Sequence, residues 1–241
     1  MTALDPAHIW LTTARLGVLF FTLFIMWITH RSTLFLREVK PDFNILLSWP
    51  ETIARLLMVG ICLVLAWLSG LSALELGLVS SHPGQDTILG LGLGLATLGL
   101  VSLLTTLAIK YLGSQVYSPW LILNILPRRR IEWLLVALAF IPPVVMEELL
   151  FRSLWLGLFQ PIVPLWMLVI GLSIVFGLVH EPQGPLGMVA AGGINVVFSL
   201  AFLWSGSLWL PLLAHFTVNV LQVVVAYAQR DWLEQLMRET H

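Results

Sequence analysis

Long apolar runs separated by short polar clusters fill the chain almost from end to end. Seven are long enough to cross about 30 Å of hydrocarbon, which takes roughly 20 helical residues; they lie near 9–29, 52–74, 87–111, 131–159, 161–180, 185–205 and 208–228. None has the alternating, ten-residue segmentation of barrel strands, so the pattern predicts an all-α, polytopic transmembrane bundle. Residues 113–127, with Trp120 and the run LILNIL, are too short to cross and are expected at the interface; counting them as a crossing gives an eighth span.

The polar clusters between the runs predict orientation, because short cytoplasmic connections retain Lys and Arg. Arg31, Arg37 and Lys40 follow the first run, Lys110 and Arg128 to Arg130 lie between the third and fourth, and Arg230 and Arg238 follow the seventh. The links at 75–86, 160 and 206–207 carry none. Alternation through seven spans then puts the N-terminus outside and the C-terminus in the cytoplasm. Asp5 is present and no Lys or Arg precedes Arg15, so the first run is expected to be a retained span and not a cleaved leader. Trp10, Trp49, Trp120, Trp133, Trp204, Trp209 and Trp232 fall near proposed ends, as headgroup anchors do.

Composition agrees: 59% of the 241 residues are hydrophobic and 10% charged, against roughly a quarter charged in a soluble domain. Twelve Lys and Arg against thirteen Asp and Glu make no basic face, so the expected partner is the lipid bilayer and not nucleic acid. The single cysteine, Cys62, excludes an intrachain disulfide and a cysteine-rich metal site. No repeat or linker divides residues 1–241, which read as one integral membrane domain. The run GLGLGLATLG, with Gly90, Gly92, Gly94 and Gly99, lacks the strand that a dinucleotide loop needs and is read as a close-packing helix face.

An ionisable side chain at the bilayer centre costs about 2.5–3.5 kcal/mol, so each needs a partner, water or a function. The fourth run holds Glu147, Glu148 and Arg152, the fifth ends at His180, and the seventh holds His215 and Asn219. Arg15 and Arg55 are near enough to helix ends to snorkel. Glu148 and Arg152 are one turn apart and share a face, whereas Glu147 is about 100° around the helix and free to point into the bundle. His215 and Asn219 share a face, as do Phe176 and His180. Singly, each has a structural reading: the Glu148–Arg152 pair as a packing device, Asn195 and Asn219 as interhelical hydrogen bonds. Their concentration on three helices favours chemistry.

Two schemes fit these groups. Glu147, His180 and His215 can ligate zinc or another divalent ion and leave one position for water. Alternatively Glu147, assisted by His180, takes a proton from water attacking a peptide carbonyl, while His215 and Asn219 hold the oxyanion. The amide of Asn219 suits the second scheme better.

Glu147-Glu148-Leu-Leu-Phe-Arg152, Phe176-Gly-Leu-Val-His180 and His215-Phe-Thr-Val-Asn219 match EExxxR, FxxxH and HxxxN. In this order and on separate helices the chain resembles the CAAX-protease and bacteriocin-processing family of intramembrane peptidases over about 131–225. The resemblance implies a membrane-embedded endopeptidase acting on membrane-associated or lipid-modified peptides or proteins. It implies Glu147 and His180 as activators of water, His215 and Asn219 as the oxyanion site, and Glu148 with Arg152 as a brace supported by Phe176. It leaves the metal question open. A proteolytically silent scaffold or assembly factor and a proton- or ion-coupled transporter are the rival functions.

One geometric problem follows. From Ile131, Glu147 lies about 24 Å along a straight helix, whereas His180 would end its span at the inner face. A break at Pro142-Pro143, laying 131–141 along the interface, and a bend at Pro211 are the expected remedies, with the site in a wet recess open to the inside.

Overall fold

The computed structural model describes residues 6–39 and 41–239; Asp5 and Lys40 lie outside the described residues. The described residues form no strand. Helices α1 (Pro6–Val39), α2 (Trp49–Ser69) and α3 (Pro83–Leu112) precede a six-residue α4 (Trp120–Ile125). Next come α5 (Arg130–Ala139), α6 (Ile141–Glu148), a π-helical segment (Leu149–Leu154) and α7 (Trp155–Phe159), which run on from one another. α8 (Leu165–Val179), α9 (Gly184–Ser205), α10 (Trp209–Ala228) and α11 (Arg230–Glu239) complete the chain. Prolines sit in the first turns of α2, α3 and α9, where the missing N–H has no partner to lose, and Gly70 and Gly206 close α2 and α9 with left-handed backbone.

Among the described residues six helical runs are long and apolar enough to cross a bilayer. The expected span at 161–180 is the exception: α8 has 15 residues, about 22 Å of helix against about 30 Å of hydrocarbon. Pro161 lies in the turn before it and Pro164 caps it, so the apolar run is longer than the helix. Residues 113–127 form only a 3₁₀ turn and α4, in keeping with a non-crossing segment.

α10 packs along α3, α9 along α8, α1 on α2, and α2 on α6. The run from Arg130 to Phe159 and α10 are central, with 44% of their apolar windows buried, whereas α3 is peripheral at 17%. Large apolar side chains such as Phe20, Trp67 and Ile88 point outward, the surface a lipid solvent requires. Three expectations change. Trp120 is buried, with the Arg37 guanidinium over its ring, and is no headgroup anchor. Arg15 does not snorkel: its Nε donates to the Leu158 carbonyl, an orphan acceptor in the last turn of α7. Arg55 pairs with Glu51 one turn back on its own helix.

The helical path lapses at Phe140, just ahead of Pro142-Pro143, and resumes at once, and 130–159 as a whole is long and apolar enough to cross. The two halves still differ in surroundings. Val136 is the one buried residue of α5, whereas all six residues of the π-helical segment are buried.

The α3–α10 contact rests on Gly90 and Gly94. A Cβ on Gly90 would stand 2.7 Å from the Leu210 carbonyl oxygen, and one on Gly94 would stand 2.7 Å from Thr217 Cβ and 2.8 Å from the Ala214 oxygen. These contacts flank His215 on the facing helix. Gly92 and Gly99 have nothing within 4 Å, so half of the glycine run carries the packing. Gly94→Ala is therefore expected to cost about 1–3 kcal/mol through overpacking against backbone. Gly92→Ala should leave stability unchanged or slightly raised; thermal unfolding in detergent compares the two.

Candidate active site

The EExxxR segment passes from α-helix into π-helix immediately after Glu148, a local widening that recurs at functional sites. Glu148 and Arg152 are both fully buried, and Arg152 Nη1 lies 3.2 Å from Glu148 Oε1. The guanidinium is stacked between apolar rings, 5.5 Å from the Phe176 centroid and 5.8 Å from that of Phe198. Phe151 meets Phe176 edge-on at 5.0 Å.

His215 joins this pair from α10. Its Nδ1 donates to Glu148 Oε1 at 2.7 Å, and its Nε2 faces Glu147 Oε2 at 3.5 Å. Glu148 thus bridges Arg152 and His215 and does more than brace its own helix. Glu147 points away from Arg152, as its angular offset requires, and toward the imidazole. The two adjacent carboxylates grip one histidine ring, one at each nitrogen.

His180 arrives by a different route. α8 ends beneath it, its Nδ1 donates to the Phe176 carbonyl at 2.7 Å, and its ring lies 4.5 Å from the Phe176 ring. That carbonyl can only accept, so Nδ1 carries the proton and Nε2 keeps a free lone pair. The following turn, Glu181–Gln183, is tied at three points: Glu181 to His30 at 2.8 Å, the Pro182 carbonyl to Arg37, and the Gln183 carbonyl to the Ser118 amide. His180 and Glu147 both approach His215, through the Phe176 ring and directly. The Phe176 ring also lies 6.3 Å from His215, so it separates and orients both histidines.

Phe176, His180, His215 and Asn219 line a single cavity of about 140 Å³, room for several waters. Glu147 is not part of that lining; its Oε2 lies 3.5 Å from Nε2 of His215, which is. Asn219 makes no hydrogen bond among the described residues, whereas Asn195 does act as interhelical glue, donating to Ser173 on α8 at 3.0 Å. No group of three His, Cys, Asp or Glu side chains among the described residues is disposed to hold a metal ion, Glu147, His180 and His215 included. Phe151, Phe198 and Gln222 were not singled out by sequence. Phe151 and Phe198 look like any other aromatic in an apolar run, and the signal for Gln222 was its place one turn beyond Asn219.

Residues 129–221 match the family model described as Type II CAAX prenyl endopeptidase Rce1-like. This segment is similar to the Rce1-like family. The match spans α5 to most of α10 and takes in all seven residues of the three motifs. No curated protein and no solved structure matches the chain. The matched segment covers the helices that build the polar cluster and leaves α1 to α4 outside it.

Removing one partner of a buried ion pair strands the other charge, at about 3–5 kcal/mol. Arg152→Met is therefore expected to lower the unfolding temperature in detergent sharply. The double variant Glu148→Gln/Arg152→Met should be less destabilised than Arg152→Met alone; equal losses would mean that Glu148 does not depend on this guanidinium.

Proposed function

We propose that the chain is an intramembrane endopeptidase that hydrolyses peptide bonds of membrane-associated or lipid-modified peptides with water activated by its own side chains. The observation that carries this reading is His215 clasped between Glu147 and Glu148 while its ring lines a cavity shared with His180 and Asn219.

Two carboxylates face one guanidinium and one imidazole. In this mechanism His215 holds a proton on each ring nitrogen, one toward each carboxylate. Nδ1–H then stays on Glu148, and Nε2–H lies between Glu147 and the cavity. A water beside His180 Nε2 attacks the carbonyl carbon of the scissile bond, and its proton passes to Glu147. Neutralising Glu147 weakens its hold on His215 Nε2–H, which turns to the newly formed oxyanion together with the Asn219 amide. Collapse of the tetrahedral species breaks the C–N bond, and Glu147 returns its proton to the leaving amine. The carboxylate is restored, and atoms and charge balance. Each step uses side chains of the site itself.

The cavity reaches Gln229 and Trp232, beside the end of the chain where Arg230 and Arg238 lie. With the C-terminus cytoplasmic by the charge rule, the recess opens to the inside.

Glu147→Gln, His180→Ala and His215→Ala are each expected to lower turnover of quenched fluorescent membrane peptides in proteoliposomes by about a hundredfold or more. Asn219→Ala should lower it by about 10²-fold with little change in KM. Wild-type turnover in all four variants would remove the hydrolytic reading. Proton flux through the liposomes that survives Asn219→Ala would point to a relay, and full biological effect in all variants to a scaffold.

A further inference from the structure

α1 lies wholly outside the matched segment, yet it holds that segment at two separate places. Toward its start, Arg15 Nε donates to the Leu158 carbonyl at 3.0 Å, and the Trp155 indole donates to Thr22 Oγ1 at 2.9 Å. Toward its end, His30 Nδ1 lies 2.8 Å from Glu181 Oε2, and Arg37 Nη2 donates to the Pro182 carbonyl at 3.5 Å. The four side chains are spaced by seven, eight and seven residues, which keeps them on one face of the helix. Beside that stripe Ala14, Val18, Phe21 and Ile25 are buried. No proline follows Pro6 in α1, so nothing of that kind breaks its 34 residues, about 51 Å of helix.

The partners belong to the two elements that carry the first two motifs. Trp155 and Leu158 continue the run that holds Glu147, Glu148 and Arg152, and Glu181 and Pro182 directly follow His180. Within the site Glu147 meets His215 directly, whereas His180 meets it across the Phe176 ring, and no hydrogen bond joins Glu147 to His180 among the described residues. The spacing of these two groups therefore depends on what holds their helices to each other. Helices in lipid gain little hydrophobic energy from meeting, so directional polar contacts do much to set their register. Register matters to chemistry, because a displacement of about 1 Å at reacting groups can cost about a hundredfold in rate.

We propose that α1 is a strut that sets the height of His180 against the Glu147 run: Arg15 and Thr22 fix it to α7, and His30 and Arg37 fix it to the turn after His180. His30 and Arg37 are positioning residues for His180 and touch no reacting group. The consequence for turnover rests on the endopeptidase reading; the consequence for spacing rests on the contacts of α1 alone. The side chains of His30 and Glu181 are 52% and 47% exposed, so this end of the strut can be released by substitution without opening the core.

The test uses the full chain in lipid nanodiscs. Exposed ties are weak singly, so His30→Ala/Arg37→Ala removes both from α1. His30→Lys keeps a cation for Glu181, His30→Glu sets two carboxylates against each other, and His30→Glu/Glu181→Lys restores the attraction. Two quantities are read: kcat and KM for quenched fluorescent membrane peptides, and the distance distribution between nitroxides attached through Ile141→Cys and Leu178→Cys in a Cys62→Ala background. Both label positions are exposed, one on α6 ahead of Glu147 and one on α8 ahead of His180. The wild type is expected to give one narrow distance. In the double variant the distance should shift or broaden and kcat should fall about tenfold, with KM and the unfolding temperature unchanged; His30→Glu should act in the same direction by about threefold. His30→Lys and the charge-swapped pair should behave as the wild type does. Should the double variant fail to fold, His30→Glu and the charge-swapped pair decide alone. An unchanged distance and kcat, a change in only one of the two in protein whose wild type cleaves, or a loss that the charge-swapped pair does not recover would each overturn the proposal. The two readings fail separately. If the wild type cleaves and neither quantity responds to the α1 variants, the strut is wrong and the peptidase stands. If the wild type cleaves nothing while the distance responds and the charge swap restores it, the strut stands and the peptidase falls.

Discussion

A guanidinium and two carboxylates in an apolar bundle must find each other and a further hydrogen-bonding partner, and the rest of the site is arranged around that demand. Arg152 and Glu148 are fully buried, and the imidazole that completes the cluster comes from a position 67 residues further along. Burial makes the pair costly to break and so ties α10 to α6 more firmly than dispersion between lipid-like surfaces can. The glycine contacts of α3 act on the same helix from its other side, at Ala214 and Thr217, the residues bracketing His215. The imidazole is thus fixed by electrostatics in front and close packing behind.

The bilayer solvent and the seven motif residues were legible in sequence because both leave strong signals: continuous apolar runs, and ionisable groups where lipid forbids isolated ones. The angular argument that separated Glu147 from Arg152 also survives, since an offset of about 100° between adjacent helix positions turns Glu148, one turn before the arginine, toward it. The use made of that freedom was not legible. Which imidazole lies between the two glutamates depends on how three distant helices pack, and i, i+4 spacing does not encode it. Arg15 shows the same limit. Near a helix end it reads as a snorkelling cation, but it caps a carbonyl on α7 because α7 stops at Phe159, a boundary set by the following turn and Pro161.

The length of α8 was misjudged for a related reason. Hydropathy measures how long an apolar run is, not how much of it is helical, and Pro161 and Pro164 remove the first residues from the helix. The consequence is functional. A helix end leaves its last carbonyls without intrahelical partners, and an imidazole at the C-cap can take one of them. His180 does this with the Phe176 carbonyl, which settles its tautomer and leaves Nε2 free.

Water is the remaining constraint, since hydrolysis within a membrane needs a polar volume that the surrounding lipid does not flood. Irregular backbone at depth is tolerated only where it is buried in protein or lines such a volume. Here the π-helical segment takes the first option, with all six residues buried, and the turn after α8 takes the second, sending Gln183 into the cavity while its carbonyl is paired with Ser118. The two departures from regular helix therefore divide the work, one holding the charged pair dry and the other admitting solvent to the histidines. Phe176 stands between them, its ring against Arg152 on one side and His180 on the other. A smaller side chain there would join the dry and wet compartments, and the Glu148–Arg152 pair would then be hydrated and free to separate.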